Sequence, residues 1–331
     1  MLSPRATIKR RVFVPHVRIP EGRMLDLPGR GETFVTDTPG PHPDAPTVVL
    51  LHAVGCTGLL TWFPSIQELA TRYRVVTLDQ RWHGRGIHSE AFSLADCADD
   101  VAALVEELGL GRVIVAGYSM GSIIAQRVWR QHPEIVAGLV LCATTDRFRS
   151  TVAERLFHQG MEVTMAGARG LSRSRTAARA ARAAGRATNR TFDIAPLDIH
   201  DWAVEEFRST SPWAVAQAVA ALGRHHSRPW LGRIDVPTAV VVTLRDRVLP
   251  TDNQIALARR IPGATIHPVD AGHAACVMEA ERFVPALLEA VNTVNARSRD
   301  FPPRPSSPTS PQPSSRVPSS RSSSPASSES A

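Results

Sequence analysis

The sequence of 331 residues has little lysine, tyrosine and cysteine, and it has no long apolar segment. Lys9 is the only lysine, so almost all of the positive charge comes from arginine. No run of about 18 apolar residues occurs, and the sequence therefore predicts no transmembrane helix. The basic N-terminal stretch lacks the apolar core of a secretory signal, so we expect a cytoplasmic protein.

The four cysteines are too widely spaced for a known metal or redox motif. Cys56, Cys97, Cys142 and Cys276 are separated by 41, 45 and 134 residues, which matches no zinc or Cys-x-x-Cys pattern. We expect free buried thiols, with a disulfide as the minor alternative. The sequence also lacks Gly-x-Gly-x-x-Gly, P-loop and His-Glu-x-x-His motifs, so it predicts no nucleotide, no metal and no other cofactor.

The excess of basic residues lies outside the central part of the chain. The formal net charge is +7 at pH 7. Residues 1–23, 163–192 and 297–331 carry +5, +7 and +3, so the rest of the chain carries −8. The arginines of 163–192 either attract an acidic substrate or a membrane surface, or they form the solvated face of a helix. No nucleic acid is required by this distribution.

Composition and hydrophobic periodicity divide the chain into five predicted segments. Residues 301–331 contain 13 serines and eight prolines, a composition that cannot offset the entropy of ordering. Repeated strand–helix patterns predict a parallel, doubly wound α/β sheet, and an Ala- and Arg-rich interval predicts a helical cap over its carboxyl edge. The segments are a basic arm (1–23), a first core part (24–145), a helical cap (146–232), a second core part (233–296) and a disordered tail (297–331).

The core patterns predict six strands and five helices. The strands are expected at 47–54, 73–78, 112–116, 136–143, 238–244 and 265–269. The helices are expected at 63–70, 94–108, 120–131, 252–261 and 276–294. A short strand at 11–14 and a cationic helix at 169–190 are also predicted.

The most specific motif is Gly117-Tyr118-Ser119-Met120-Gly121, between a predicted strand and a predicted helix. A serine on such a strand–turn–helix is the nucleophile elbow, in which glycines two residues before and after the serine avoid clashes. The following helix start directs N–H groups and the positive end of its dipole toward a developing oxyanion. The context favours a nucleophilic Ser119 over a chance match.

Two later loops offer a base and an acid. His273 follows a late strand and is the predicted general base for Ser119. Asp246 lies 27 residues before His273, one βαβ step, and is predicted to orient the imidazole. Asp146, just past another strand, stays open as an alternative acid.

The order Ser119, Asp246, His273 on successive βα units resembles the α/β-hydrolase superfamily. Two further stretches are similar to that family, the loop Leu50-Leu51-His52-Ala53-Val54-Gly55 and the turn Asp79-Gln80-Arg81-Trp82-His83-Gly84-Arg85-Gly86. The resemblance covers about residues 30–296 and implies an α/β-hydrolase fold with a mostly parallel doubly wound sheet and a helical cap. It also implies an oxyanion hole formed by the backbone N–H groups of Val54 and Met120.

Four residues depart from the family pattern without removing a reacting group. Ala53, Trp82, Ser122 and Thr243 stand where that family often has glycine. Ala53 is the departure that affects the oxyanion loop.

Epoxide hydrolases and haloalkane dehalogenases of this fold use an aspartate nucleophile, so the serine at 119 makes both activities unexpected.

These residues predict a serine hydrolase that cleaves a carboxylic ester, thioester or lactone of a small molecule through an acyl-enzyme on Ser119. The same triad also serves carbon–carbon bond hydrolysis and cofactor-free, haloperoxidase-like perhydrolysis, and these stay open. A third alternative is a binding or signalling module on a hydrolase scaffold. The basic cap or tail would then contact a membrane surface or a nucleic acid. The oligomeric state is left open.

Overall fold

The computed structural model of the protein describes residues 19–148 and 199–299. Their strands are β1 (Gly22–Leu27), β2 (Gly31–Thr38), β3 (Thr47–Leu51), β4 (Arg74–Leu78), β5 (Val113–Tyr118), β6 (Val136–Cys142), β7 (Thr238–Thr243) and β8 (Thr265–Val269). Their helices are α1 (Gly58–Ala70), α2 (Leu94–Glu107), α3 (Met120–Gln131), α4 (Ile199–Arg208), α5 (Pro212–Leu222), α6 (Thr251–Ala258), α7 (Ala275–Met278) and α8 (Ala280–Ser298). Short 3-10 turns occur at Pro133–Ile135 and Leu231–Arg233.

The eight strands form one sheet in the order β1-β2-β4-β3-β5-β6-β7-β8. The pairs β1–β2 and β2–β4 are antiparallel, and the strands from β4 to β8 pair in parallel. All six predicted strands and all five predicted helical segments are present in the core. The prediction of a mostly parallel, doubly wound α/β sheet is therefore confirmed.

The core lies on both faces of the sheet, because helices cover each side. On β5, Val113 and Val115 belong to the apolar cluster that also contains residues of α2, α3, α5 and α6, whereas Ile114 and Ala116 belong to the cluster that contains residues of α1, α7 and α8. Every residue of β5 is buried. A strand covered on both faces needs apolar side chains at successive positions, which is why it appears in the sequence as a continuous apolar run.

The hairpin of β1 and β2 was not predicted from the sequence. Only Leu25 and Leu27 of β1 are buried, so this edge strand carries too few apolar residues to show a clear alternation. Gly29, with φ of 73°, forms the turn between the two strands. Because β1 begins at Gly22, the sheet starts inside the stretch that composition assigns to the basic arm.

Two predicted boundaries differ from the structure for local reasons. The strand predicted at 47–54 ends at Leu51, where the chain leaves the sheet as a loop. The helix predicted at 276–294 is divided into α7 and α8 at Glu279, whose backbone is not helical (φ −137°, ψ 41°). The Glu279 carboxylate accepts hydrogen bonds from the Gly272 amide (2.8 Å) and the Arg245 guanidinium (2.5 Å). These tertiary contacts have no local sequence signal.

The described part of the predicted cap is helical and consists mainly of α4 and α5. The ends of the insertion meet, because Arg147 pairs with His226 in an antiparallel bridge and the Ser227 amide donates to the Asp146 carbonyl (2.8 Å). Residues 149–198, with the predicted cationic helix, lie outside the described residues. The predicted strand at 11–14, most of the arm and most of the tail also lie outside them.

No helix in the described part of the chain is both long and apolar enough to cross a bilayer.

We predict that Gly138→Ala lowers the free energy of unfolding by about 1–3 kcal/mol, the usual cost of overpacking. A Cβ atom at Gly138 would lie 2.2 Å from Val294 Cγ1 and 2.9 Å from the Pro237 carbonyl oxygen, where β6 packs against α8. Gly232→Ala is the control, since the nearest atom to its Cβ would lie 3.9 Å away. Urea unfolding of both variants measures the difference, and equal stabilities would contradict the prediction.

Candidate active site

Ser119 lies at the junction of β5 and α3 in a strained backbone conformation (φ 52°, ψ −112°). Such a φ is unfavourable for any residue other than glycine and persists only where the surrounding structure enforces it. Here the glycines of the motif permit the close packing: a Cβ at Gly121 would lie 2.0 Å from the Leu51 carbonyl oxygen, and one at Gly117 would lie 2.3 Å from the Gly121 carbonyl carbon. The sharp turn predicted from the motif is present.

The structure brings the three predicted triad side chains into one hydrogen-bonded chain. His273 Nε2 lies 3.1 Å from Ser119 Oγ, and His273 Nδ1 lies 2.7 Å from Asp246 Oδ2. An ionised carboxylate only accepts hydrogen bonds, so Nδ1 carries the proton and Nε2 is free to accept one from the serine hydroxyl. This geometry matches what a serine nucleophile and its general base require.

Asp246, and not Asp146, is the carboxylate against His273. The side chain of Asp146 lies instead near Arg260, with 3.5 Å between Oδ2 and Nη1. The side chain of Asp246 is fully buried, and its Oδ1 accepts hydrogen bonds from the amides of Val248 (2.9 Å) and Leu249 (2.8 Å). The alternative acid left open by the sequence is therefore not positioned to orient the histidine.

The pKa of Asp246 lies below its ordinary value. Burial on its own raises the pKa, and the hydrogen bonds from His273, Leu249 and Thr243, together with the charge of His273, outweigh it. The carboxylate therefore stays ionised at neutral pH, as the orienting member of such a triad must.

The two predicted oxyanion amides belong to adjacent parts of the sheet edge. Met120 is the first residue of α3, and Val54 lies in the turn that follows β3. Neither amide donates to another described residue, whereas the neighbouring Ala53 amide donates to Thr61 Oγ1 (3.3 Å). Alanine fits at position 53 without backbone strain because the residue with the left-handed conformation in this loop is Gly55 (φ 75°).

His52 supports the loop between β3 and α1 and is not placed to act as a base. The Gln80 amide donates to His52 Nε2 (2.8 Å), so the other ring nitrogen carries the proton and donates to the Ala53 carbonyl (2.8 Å). Burial and the neighbouring His83 hold the pKa of His52 well below its usual value. A neutral imidazole therefore ties this loop to the one after β4.

Asp79 is a second buried carboxylate beneath the same loop. It accepts hydrogen bonds from the amide of Gly58 (2.9 Å) at the start of α1 and from the amide of Arg85 (3.0 Å). The pKa of Asp79 is about 6, above its ordinary value, because burial raises it by more than these two amides and the Arg85 charge lower it. Glu206 of α4 contacts both Thr57 Oγ1 and the Arg85 guanidinium, so the described cap helix rests on this loop.

The side chains of two further departures from the family pattern, Trp82 and Ser122, form hydrogen bonds near the site. Trp82 occupies a left-handed conformation (φ 66°), where glycine is the unstrained residue, and its indole N–H donates to Ser89 Oγ (3.1 Å). The hydroxyl of Ser122 accepts a hydrogen bond from the Cys142 amide (2.9 Å) and lies 2.5 Å from the Gly117 carbonyl oxygen. Ser122 therefore joins α3 to both β5 and β6 beneath the elbow.

Sequence reasoning missed three side chains that contact the triad. The Tyr118 hydroxyl donates to the His273 carbonyl (2.8 Å), and both Thr243 and Gln254 contact the Asp246 carboxylate. Tyr118 sits at a freely variable position of the elbow motif, and Gln254 is one of several polar residues in a short helix. Thr243 was noted only as a departure from glycine.

The described residues contain no cluster of three or more His, Cys, Asp or Glu side chains arranged to hold a metal ion. The four cysteines are free thiols, and Cys97, Cys142 and Cys276 are buried.

Comparison with known proteins identifies the family that has this fold. The family model for the alpha/beta hydrolase fold matches residues 46–280. The chain belongs to the α/β-hydrolase family. Among curated relatives, a putative carbamate hydrolase RutD from Rhizobium rhizogenes is 28% identical, covering 73% of this chain and 91% of the relative. The 3-oxoadipate enol-lactonase 1 of Acinetobacter baylyi is 26% identical, covering 80% and 95%.

Solved structures give the same family fold. A hydrolase from Pseudomonas aeruginosa matches with a TM-score of 0.64 at 22% identity, covering 82% of this chain and 98% of that one. An enol-lactonase from Burkholderia xenovorans matches with a TM-score of 0.60 at 22% identity, covering 79% and 96%. At this identity the likeness establishes the α/β-hydrolase fold alone. The family and its curated relatives support hydrolase activity.

We predict that Asp79 makes the protein less stable as pH rises from about 4 to about 6. The folded-state pKa of about 6 exceeds the ordinary value of 3.8, so the folded state binds the extra proton in this window. The difference between these two pKa values corresponds to about 3 kcal/mol of unfolding free energy lost across this window. Asp79→Asn removes this share of the pH dependence.

Urea unfolding of wild type and Asp79→Asn at several pH values checks the sign. Asp44→Asn, at an exposed position, serves as the matched control. A wild-type-minus-variant difference that is flat between pH 4 and 6 would contradict the prediction.

Proposed function

We propose that the protein is a serine hydrolase that cleaves a carboxylic ester, thioester or lactone through an acyl-enzyme on Ser119. The observation that carries this proposal is the continuous chain of hydrogen bonds from Ser119 through His273 to the buried Asp246. Each of the three side chains leaves the carboxyl edge of the parallel sheet, where ligands bind in folds of this class.

In the proposed reaction, Ser119 Oγ attacks the substrate carbonyl while His273 Nε2 takes the hydroxyl proton. Asp246 holds the proton on Nδ1 and stabilises the imidazolium that forms. The amides of Val54 and Met120 donate to the oxyanion of the tetrahedral intermediate, and the start of α3 adds the positive end of its dipole. His273 returns the proton to the leaving group, and water, activated by the same imidazole, then releases the acid.

The proposed substrate class follows from the bond that this chemistry attacks and from the relatives. An enol-lactonase name recurs among the curated relatives and the solved structures, and an esterase from Thermogutta terrifontis also shares the fold. Lactones, esters and thioesters all present an electrophilic acyl carbon bonded to a leaving group, which is the centre that an acyl-enzyme mechanism requires. No cofactor takes part in these steps.

We expect Ser119→Ala and His273→Ala to lower kcat on p-nitrophenyl acetate or butyrate by at least about a thousandfold, as in other enzymes with such a triad. Ser298→Ala, at the end of α8, is the matched control and keeps the wild-type rate. A fluorophosphonate probe should label the wild type and Ser298→Ala but not Ser119→Ala.

Equal rates for wild type and Ser119→Ala, or labelling at another residue, would refute the proposed nucleophile. If the probe labels Ser119 but no ester, thioester or lactone is hydrolysed, the triad is competent and the substrate class is wrong. A panel with carbon–carbon cleavage substrates and a peracid assay then tests the alternatives left open by the sequence.

A further inference from the structure

The carboxylate of Asp246 is held by side chains that the triad itself does not include. Asp246 lies in the acid loop, which we define as residues 244–250 between β7 and α6. The Thr243 hydroxyl donates to Asp246 Oδ2 (2.8 Å), and Gln254 Nε2 lies 3.2 Å from the same oxygen. Oδ2 is also the oxygen that accepts the hydrogen bond from His273.

The carboxamide of Gln254 joins both ends of the acid loop. Its Oε1 accepts from the Thr243 amide (3.1 Å) at the end of β7. Its Nε2 donates to the Leu249 carbonyl (2.8 Å) near the loop's exit, and to Thr243 Oγ1 (2.9 Å). The Thr243 hydroxyl can therefore accept a hydrogen bond from Gln254 and donate its own hydrogen bond to Asp246.

This network lies out of contact with water. Thr243 and Gln254 are fully buried, and so is the Asp246 side chain. Without competing water, the direction of a buried carboxylate is set by the donors that the protein supplies, and hydrogen bonds to a charged group are the stronger ones. The two oxygens of Asp246 have five N–H or O–H groups within hydrogen-bond distance, and two of these groups belong to Thr243 and Gln254, the Gln254 N–H being shared with its other acceptors.

The ion pairs on the outside of the acid loop are exposed to water and do not contact the Asp246 carboxylate. Arg245 of the acid loop pairs with Asp270 (2.8 Å), which follows β8, and with Glu279 (2.5 Å), but about half of its side chain is exposed. Ion pairs in such a position contribute little and are screened by salt. The buried pair is therefore the stronger candidate for fixing the carboxylate.

We propose that Thr243 and Gln254 are positioning residues for the hydrolytic reaction, acting on His273 through Asp246. Thr243 directs Oδ2 toward His273 Nδ1, and Gln254 fixes Thr243 and the acid loop around it. This proposal rests on the proposed function, because it gives the pair a role only if His273 is the base for Ser119. It also gives Thr243, where the family often has glycine, a specific role.

The test compares steady-state kinetics of wild type with Thr243→Val, Thr243→Ser and Gln254→Met. Thr243→Val keeps the shape but removes the donor, and Gln254→Met keeps the length but removes both amide functions. We expect each to lower kcat on p-nitrophenyl butyrate by about tenfold, the equivalent of one hydrogen bond to a charged group, while KM changes little. Thr243→Ser restores the hydroxyl and most of the rate.

A double variant separates positioning from a purely structural role. With Asp246→Asn as background, adding Thr243→Val should change kcat by less than about twofold, because residues that act through one group are not additive. If the two effects multiply, or if folded Thr243→Val and Gln254→Met keep the wild-type kcat, the proposal is wrong. Urea unfolding establishes that each variant is folded.

Thr243→Gly keeps the proposal testable if the valine variant does not fold, since glycine is common at this position in the family. A wild-type kcat in Thr243→Gly overturns the role of the hydroxyl, and a loss reversed in Thr243→Ser supports it. Failure of the underlying function gives a different result: wild type and Ser119→Ala would then have equal rates, whatever the residue at position 243.

Discussion

The close contact between the start of α3 and the end of β3 is the constraint on which the site depends. Gly121 packs so tightly on the Leu51 carbonyl that a Cβ atom there would lie 2.0 Å from the oxygen. This contact forces the backbone of Ser119 into its strained conformation and brings the first amide of α3 beside the loop that follows β3. A looser turn would separate the serine hydroxyl from His273. The strained backbone of Ser119 therefore accompanies the alignment of its hydroxyl with His273.

Two buried aspartates show how donors and nearby charges together set the pKa of a carboxyl group. Asp246 accepts hydrogen bonds from His273, Thr243 and the amides of Val248 and Leu249, and its pKa stays below the ordinary value despite burial. Asp79 accepts two backbone hydrogen bonds, and burial raises its pKa to about 6. Burial raises the pKa of both carboxyl groups. At Asp246 the hydrogen bonds and the charge of His273 outweigh burial, whereas at Asp79 the charge of Glu206 adds to the rise. The residue proposed to orient the base is the one whose pKa stays below its ordinary value.

The features that were predictable from the sequence are those with a local signal. The apolar runs of the parallel strands, the elbow around Ser119 and the order of Ser119, Asp246 and His273 are all visible along the chain, because each depends on neighbouring residues or on one βα step. The hairpin of β1 and β2 was missed, since an edge strand with two buried residues has almost no periodicity. Gln254 was missed for another reason: its contacts depend on the path of the acid loop, which no local pattern encodes. Thr243 was treated only as a departure from the family pattern, because the path of the same loop is what brings the Asp246 carboxylate next to its hydroxyl.

The antiparallel bridge between Arg147 and His226 makes the cap insertion a closed loop with a narrow base. Once the two ends of a segment are held together, doubling its length costs only about 0.6 kcal/mol of extra closure entropy. Evolution can therefore lengthen, shorten or replace this insertion while β6, β7 and the acid loop keep their positions. The described cap helices and the proposed catalytic groups therefore lie on separable parts of the chain.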